Sequence, residues 1–151
     1  MKVFCYGSNM SSKRIIERCP NSQFIGVAKV SGYRLVFNKK GKDGSGKANL
    51  VYTGEDNLVW GVIWDITDSD KILLDKAEGL NKGYNECKLG VVCRGQEVDV
   101  YCYIGDERYL ESGLVPYGWY LDFCLEGAKE HNLPKEYIMT LEGVRVDTKN
   151  E

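Results

Sequence analysis

Apolar positions in this chain recur mostly at every second residue and in short runs, the periodicity of half-buried strands rather than of long helices. The pattern predicts strands near residues 2–6, 24–30, 33–38, 47–52, 58–66, 84–93 and 97–104, the last two joined by a turn at Arg94-Gly95. Helical spacing interrupts them. A short helix is predicted to start at Ser11 or Ser12 and to stop at Cys19, ahead of Pro20. A second, from about residue 68 to 77, follows Thr67-Asp68-Ser69-Asp70, a Ser/Thr-x-x-acid capping pattern, with Ile72, Leu73 and Ala77 at spacings compatible with one buried face. A longer helix is predicted from Tyr117 or Gly118 to Glu130, and Pro134 opens a final short one. Residues 39–46 are polar and glycine-rich and read as a long hairpin connection, a lid being the rarer alternative. Many short strands, separated helices and no internal repeat predict an α+β fold, a small mixed β-barrel with flanking helices. Closure of such a sheet removes strand edges and makes a mouth where loops converge.

Composition narrows the class. At 151 residues and 43% hydrophobic content the chain suits one domain spanning 1–151. A net charge of −2, with charges scattered rather than blocked, argues against a nucleic-acid partner. No apolar stretch is long enough to span a bilayer, and the N-terminus enters a strand almost at once, so no membrane partner and a cytoplasmic location are expected. A homodimer is compatible with the sequence but not specified by it. Cys5, Cys19, Cys87, Cys93, Cys102 and Cys124 contain no C-x-x-C pair, and they read as buried free thiols rather than a metal site or disulfide framework. The lone His131, in the last long predicted helix, offers no partner for a Ser-His-Asp or Cys-His hydrolase.

Two segments carry candidate chemistry. Tyr6-Gly7-Ser8-Asn9 sits where the first apolar run hands over to a predicted helix, and the first N–H groups of a helix lack intrahelical partners. Such a corner suits an anion or a developing oxyanion, although Ser8 and Asn9 are also ordinary helix caps. The spacing and the absence of a following Gly-Lys-Ser/Thr argue against a P-loop. The second segment is Leu74-Asp75-Lys76-Ala77-Glu78-Gly79. Glu78 is expected at a helix C-terminus, where the partial negative charge of the helix disfavours an ionised carboxylate and suits proton transfer; the ordinary alternative is a solvated loop carboxylate.

Phe4-Cys5-Tyr6-Gly7-Ser8-Asn9-Met10 and Leu74-Asp75-Lys76-Ala77-Glu78-Gly79-Leu80 resemble the two signature regions of the gamma-glutamylcyclotransferase family, within the AIG2-like superfamily. The resemblance extends through Phe24-Ile25-Gly26-Val27-Ala28, Gly32-Tyr33-Arg34-Leu35-Val36-Phe37, Val59-Trp60-Gly61-Val62-Ile63-Trp64, Tyr120 and the stretch from Glu126 to Pro134, so it covers about residues 2–141. It implies a barrel of this family with the first corner and Glu78 facing one cavity. It also implies a cofactor-independent reaction of lyase or acyltransferase type, of the kind found in glutathione metabolism, on a small-molecule gamma-glutamyl substrate. The substrate's α-amine attacks its own γ-carbonyl, releasing 5-oxoproline and a free amine. Glu78 is the implied acid/base; Tyr6, Gly7, Ser8, Asn9 and Tyr120 are the implied substrate-binding residues, with no metal and no cofactor. Tyr120 reads equally as a core aromatic near Phe123, and Trp60 and Trp64 as core or cavity wall.

Two departures from the family pattern bear on specificity. Gly46-Lys47-Ala48-Asn49-Leu50 stands where many members carry a glycine pair, and Pro116-Tyr117 stands for the usual Pro-Ser. Both are expected on the leaving-group side, which leaves an amino acid, the ε-amine of lysine or a specialised amine such as an aminoglycoside open as leaving group. The rival readings are a non-catalytic small-molecule binding protein on the same fold, taking a gamma-glutamyl or carboxylate ligand, and a redox- or metal-responsive protein built on the cysteines.

Overall fold

Five strands close into a mixed barrel in the computed structural model, which describes residues 1–54 and 56–148. They are β1 (Lys2–Cys5), β2 (Gln23–Ser31), β5 (Leu58–Asp65), β6 (Tyr84–Cys93) and β7 (Gln96–Gly105), in the order β1-β5-β2-β6-β7. All neighbours are antiparallel except the closing pair, where β1 runs parallel to β7 at Val3↔Tyr101. Val3 on β1, Val62 on β5 and Val100 and Cys102 on β7 are fully buried, each valine side chain contributing roughly 1.5–3 kcal/mol. The two remaining strands, β3 (Tyr33–Lys40) and β4 (Gly46–Tyr52), form a separate hairpin. Asn49 ties it down, accepting the Gly105 N–H at 2.8 Å and donating to Asn38 at 3.0 Å. The predicted strands are all present, but the connection is shorter than the expected 39–46: β3 runs on to Lys40 and β4 begins at Gly46, so residues 41–45 form the tip, closed by Gly44 N–H to the Gly41 carbonyl at 3.0 Å.

Four helices flank the barrel: α1 (Ser12–Arg18), α2 (Asp68–Glu78), α3 (Gly118–Glu130) and α4 (Lys135–Glu142). Among the described residues no helix is long and apolar enough to cross a membrane. Ser11 caps α1 by accepting the Arg14 N–H, and Thr67 caps α2 by accepting that of Asp70. The buried face of α2 differs from the expected one. Ile72 and Leu73 are 70% and 49% exposed, while Asp70, Lys71 and Leu74 point inward. Polar partners choose this face: Asp70 accepts the Asn21 N–H at 2.8 Å, and Lys71 bridges Asp75 and, at 3.0 Å, Glu86.

The six cysteines are free, and five are buried as expected. Cys87 is only half-buried; it lies directly across from Cys102 on β7.

Candidate functional site

The corner after β1 is held from behind. Ser8–Met10 form one 3-10 turn, with the Met10 and Ser11 N–H groups donating to the Gly7 and Ser8 carbonyls at 3.2 Å. The strand therefore passes into a 3-10 turn first, and α1 begins separately on its Ser11 cap, rather than directly at the corner. The amides of Gly7, Ser8 and Asn9 precede the first of these bonds and donate to no turn carbonyl or side chain among the described residues, backed by one turn rather than by a full helix dipole. Gly127 of α3 presses on this turn; a Cβ there would lie 2.4 Å from the Met10 carbonyl carbon. Trp64 fixes the other side, donating its indole N–H to the Asn9 carbonyl at 2.9 Å.

In front of the corner lies β4. A Cβ on Gly7 would meet the Ala48 Cβ at 2.9 Å, so glycine permits the approach. The Ala48 peptide is clamped by two phenols: its N–H donates to Tyr120 Oη at 3.0 Å and its carbonyl accepts from Tyr84 Oη at 2.7 Å. Tyr120 Oη would lie 3.4 Å from a Cβ on Gly7, which places the clamp against the corner. Tyr6 donates its hydroxyl to the Tyr103 carbonyl at 2.6 Å and forms wall. Burial, and to a smaller degree the charge of Glu78, raises Tyr6, Tyr84, Tyr103 and Tyr120 above the ordinary phenol range. These hydroxyls therefore keep their protons.

Glu78 enters from the opposite side as the last residue of α2, where Gly79 turns the chain in the left-handed region (φ 63°). Its Oε1 accepts from Asn9 Nδ2 at 2.5 Å and from Arg18 Nη1 at 3.4 Å, and Arg18 also donates to Asn9 Oδ1 at 3.2 Å. Glu78 is 15% exposed and Arg18 25%. The partial negative charge of the helix end is thus met locally by a guanidinium and an amide.

These elements enclose a cavity of about 570 Å³ whose lining includes Tyr6, Gly7, Ser8, Asn9, Glu78 and Tyr120. All six sequence-derived site residues lie on it. Cys5 also lines it, but burial and then Glu78 push its thiol well above the usual range, which leaves it a poor nucleophile. His131 is not among the lining residues; its Nε2 lies 3.1 Å from the Met10 carbonyl and its ring stacks on Phe24. Of the two departures, Lys47 and Ala48 line the cavity, whereas Tyr117 does not and donates its hydroxyl to the Asp43 carbonyl at 3.2 Å. Sequence reasoning did not pick out Arg18, Tyr84, Lys39 or Arg14, all lining residues. The signal for the arginines was the Arg14/Arg18 spacing, which puts both on one face of α1. Among the described residues no group of three or more His, Cys, Asp or Glu side chains could hold a metal ion.

The model of the AIG2-like family matches residues 58–141 of this chain. The chain is similar to a gamma-glutamylcyclotransferase of Bos taurus, 31% identical over 145 residues, 93% of this chain and 77% of the relative. It is similarly related to a gamma-glutamylcyclotransferase of Mus musculus, 33% identical over 147 residues with the same shares covered. A solved structure described as a gamma-glutamyl cyclotransferase superposes with a TM-score of 0.90 at 28% identity, covering 99% of this chain and 90% of that one.

Proposed function

The chain belongs to the AIG2-like, gamma-glutamylcyclotransferase family, and from that premise we propose that it converts a gamma-glutamyl amide to 5-oxoproline and a free amine without a cofactor. The observation that carries this reading is the cavity in which Glu78 stands opposite the amides of Gly7, Ser8 and Asn9.

The substrate's α-ammonium must lose a proton before it attacks the γ-carbonyl. Glu78 accepts it; Oε1 is anchored by Asn9 and Arg18, so Oε2 is the atom assigned to the transfer. The new C–N bond closes a five-membered lactam, and the carbonyl oxygen takes negative charge against the corner amides, with the Tyr120 hydroxyl beside them. Glu78 then returns the proton to the leaving nitrogen as the old C–N bond breaks. The new lactam nitrogen gives up its second proton through the same carboxylate to the released amine, so two protons leave the α-nitrogen, two reach the leaving nitrogen and Glu78 ends ionised; Ser8 is not acylated.

Magnitudes are adequate for this minimal apparatus. Holding amine and carbonyl in attack geometry is worth an effective molarity on the order of 10⁵ M or more. A positioned acid/base adds roughly 10²–10⁴ in rate, and each oxyanion donor about 10²–10³.

The test is release of 5-oxoproline from gamma-glutamyl amino acids and amines by the wild-type protein and by Glu78→Gln. Release that falls about 10²–10⁴-fold in the folded variant supports the reading. An equally active variant, or a wild-type protein that binds gamma-glutamyl ligands and releases nothing, refutes it.

A further inference from the structure

The cavity is far more basic than the protein around it. The chain has 20 Lys and Arg against 22 Asp and Glu. The cavity lining, by contrast, holds nine basic residues and two acidic ones. Several of these cations are already engaged: Arg18 with Glu78, Lys40 with Glu111, Arg108 with Asp106. The informative ones lie on the hairpin side.

Lys39 and Lys47 are direct cross-strand partners on β3 and β4, an arrangement that destabilises a hairpin because like charges face each other. Both are half-buried, and burial lowers both below the ordinary lysine value; Lys47 lowers Lys39 further, and Arg14 does the same to Lys47. Among the described residues only Lys47 of these three has a carboxylate partner, Asp43 at 3.2 Å. Arg14 Nε is buried with no hydrogen-bond partner among the described residues, while its guanidinium lies over Phe123. Lys39 Nζ sits 4.8 Å from the Tyr84 ring and Lys47 Nζ 4.6 Å from the Tyr120 ring, so the two ammoniums flank the clamped Ala48 peptide beside the corner. Aromatic faces offset part of the cost of crowding the charges. They do not neutralise it.

Resting on the function proposed above, we propose that Lys39, Lys47 and Arg14 form a subsite for a second negative charge on the leaving group. The preferred substrates are then gamma-glutamyl conjugates of dicarboxylic amino acids, with the side-chain carboxylate against the hairpin lysines. A cavity of about 570 Å³ accommodates such a dipeptide. Bound carboxylate relieves the repulsion between Lys39 and Lys47.

The experiment compares gamma-glutamyl-glutamate with its neutral isostere gamma-glutamyl-glutamine in two readouts: 5-oxoproline release, and calorimetric binding to the Glu78→Gln protein. One charge-assisted contact corresponds to a preference of about tenfold or more for the acidic dipeptide, shrinking as salt is raised. Lys39→Gln and Lys47→Gln, each checked for folding by circular dichroism, should independently bring the ratio towards one. Equal handling of the two dipeptides, or a ratio that survives both substitutions, overturns the subsite while leaving the cyclotransferase reading intact. Absence of release from every dipeptide would sink that reading instead, and the titration would still decide the subsite: tighter binding of the acidic dipeptide supports it, and equal or undetectable binding overturns it.

Discussion

Replacing Tyr120 with Phe removes one hydroxyl and keeps the ring, whose edge contacts with Phe37 and Trp119 at centroid distances of 6.4 and 6.0 Å remain. What is lost is the acceptor for the Ala48 N–H, 3.0 Å away in a buried setting. A buried donor left without a partner costs about 1–3 kcal/mol, more than the average net value of a hydrogen bond, because the donor stays desolvated. For a domain of this size that lowers Tm by about 2–4 °C per kcal/mol, so roughly 2–12 °C by thermal denaturation followed with circular dichroism. Tyr84→Phe removes the clamp on the carbonyl side of the same peptide, so the double variant should depart from additivity by about 0.5 kcal/mol or more. Activity separates the two roles of the ring. Loss of 5-oxoproline release beyond the loss of folded protein identifies the hydroxyl as part of the site, and unchanged kcat/KM in the folded fraction identifies it as a brace alone. A Tm within 1 °C of the wild-type value would refute the clamp.

Two further outcomes follow from packing and burial. Gly127→Ala gains up to about 1 kcal/mol of helix propensity but places a Cβ 2.4 Å from the Met10 carbonyl carbon and 2.5 Å from the Ser11 nitrogen, both backbone. Overpacking of about 1–3 kcal/mol or more should win, lowering Tm, and because α3 must move off the Ser8–Met10 turn, 5-oxoproline release should fall further than stability; a more stable, fully active variant would contradict this. Stability should also decline in alkali under reducing conditions. Burial raises Cys5 and Cys102 well above the usual thiol value of 9.0 and Cys124 to about 12, so above pH 9 the unfolded chain has released protons that the folded one retains. Each such thiol then contributes a loss of about 1.4 kcal/mol per pH unit until its folded value is reached. Raised Tyr6 and Tyr84 act in the same sense above pH 10, while lowered Lys39 and Lys47 oppose it just below 10.5. Urea midpoints that stay level or rise between pH 8 and 10.5 would count against the thiols being held protonated.

The hydrophobic alternation carried the strand list, the caps carried the helix starts, and both rest on interactions local in sequence. The face of α2 was not legible, because Lys71 is drawn inward by Glu86, a residue on another element, and no periodicity of Ile72 and Leu73 encodes that partner. The same holds for Asn9, Arg18 and Glu78, which meet only after the barrel brings α1 and α2 side by side. The hairpin lysines are a different case. Reading residues 39–46 as a hairpin connection centres it between Lys42 and Asp43 and would set Lys39 opposite Gly46; the one-residue register shift between Val36 and Lys39 is what sets Lys39 opposite Lys47. The pairing of two like charges is set by that shift and was not legible in the sequence. Burial against Tyr84 and Tyr120 turns that pairing from a surface coincidence, which solvent would screen, into a standing cost that an anion in the cavity would relieve.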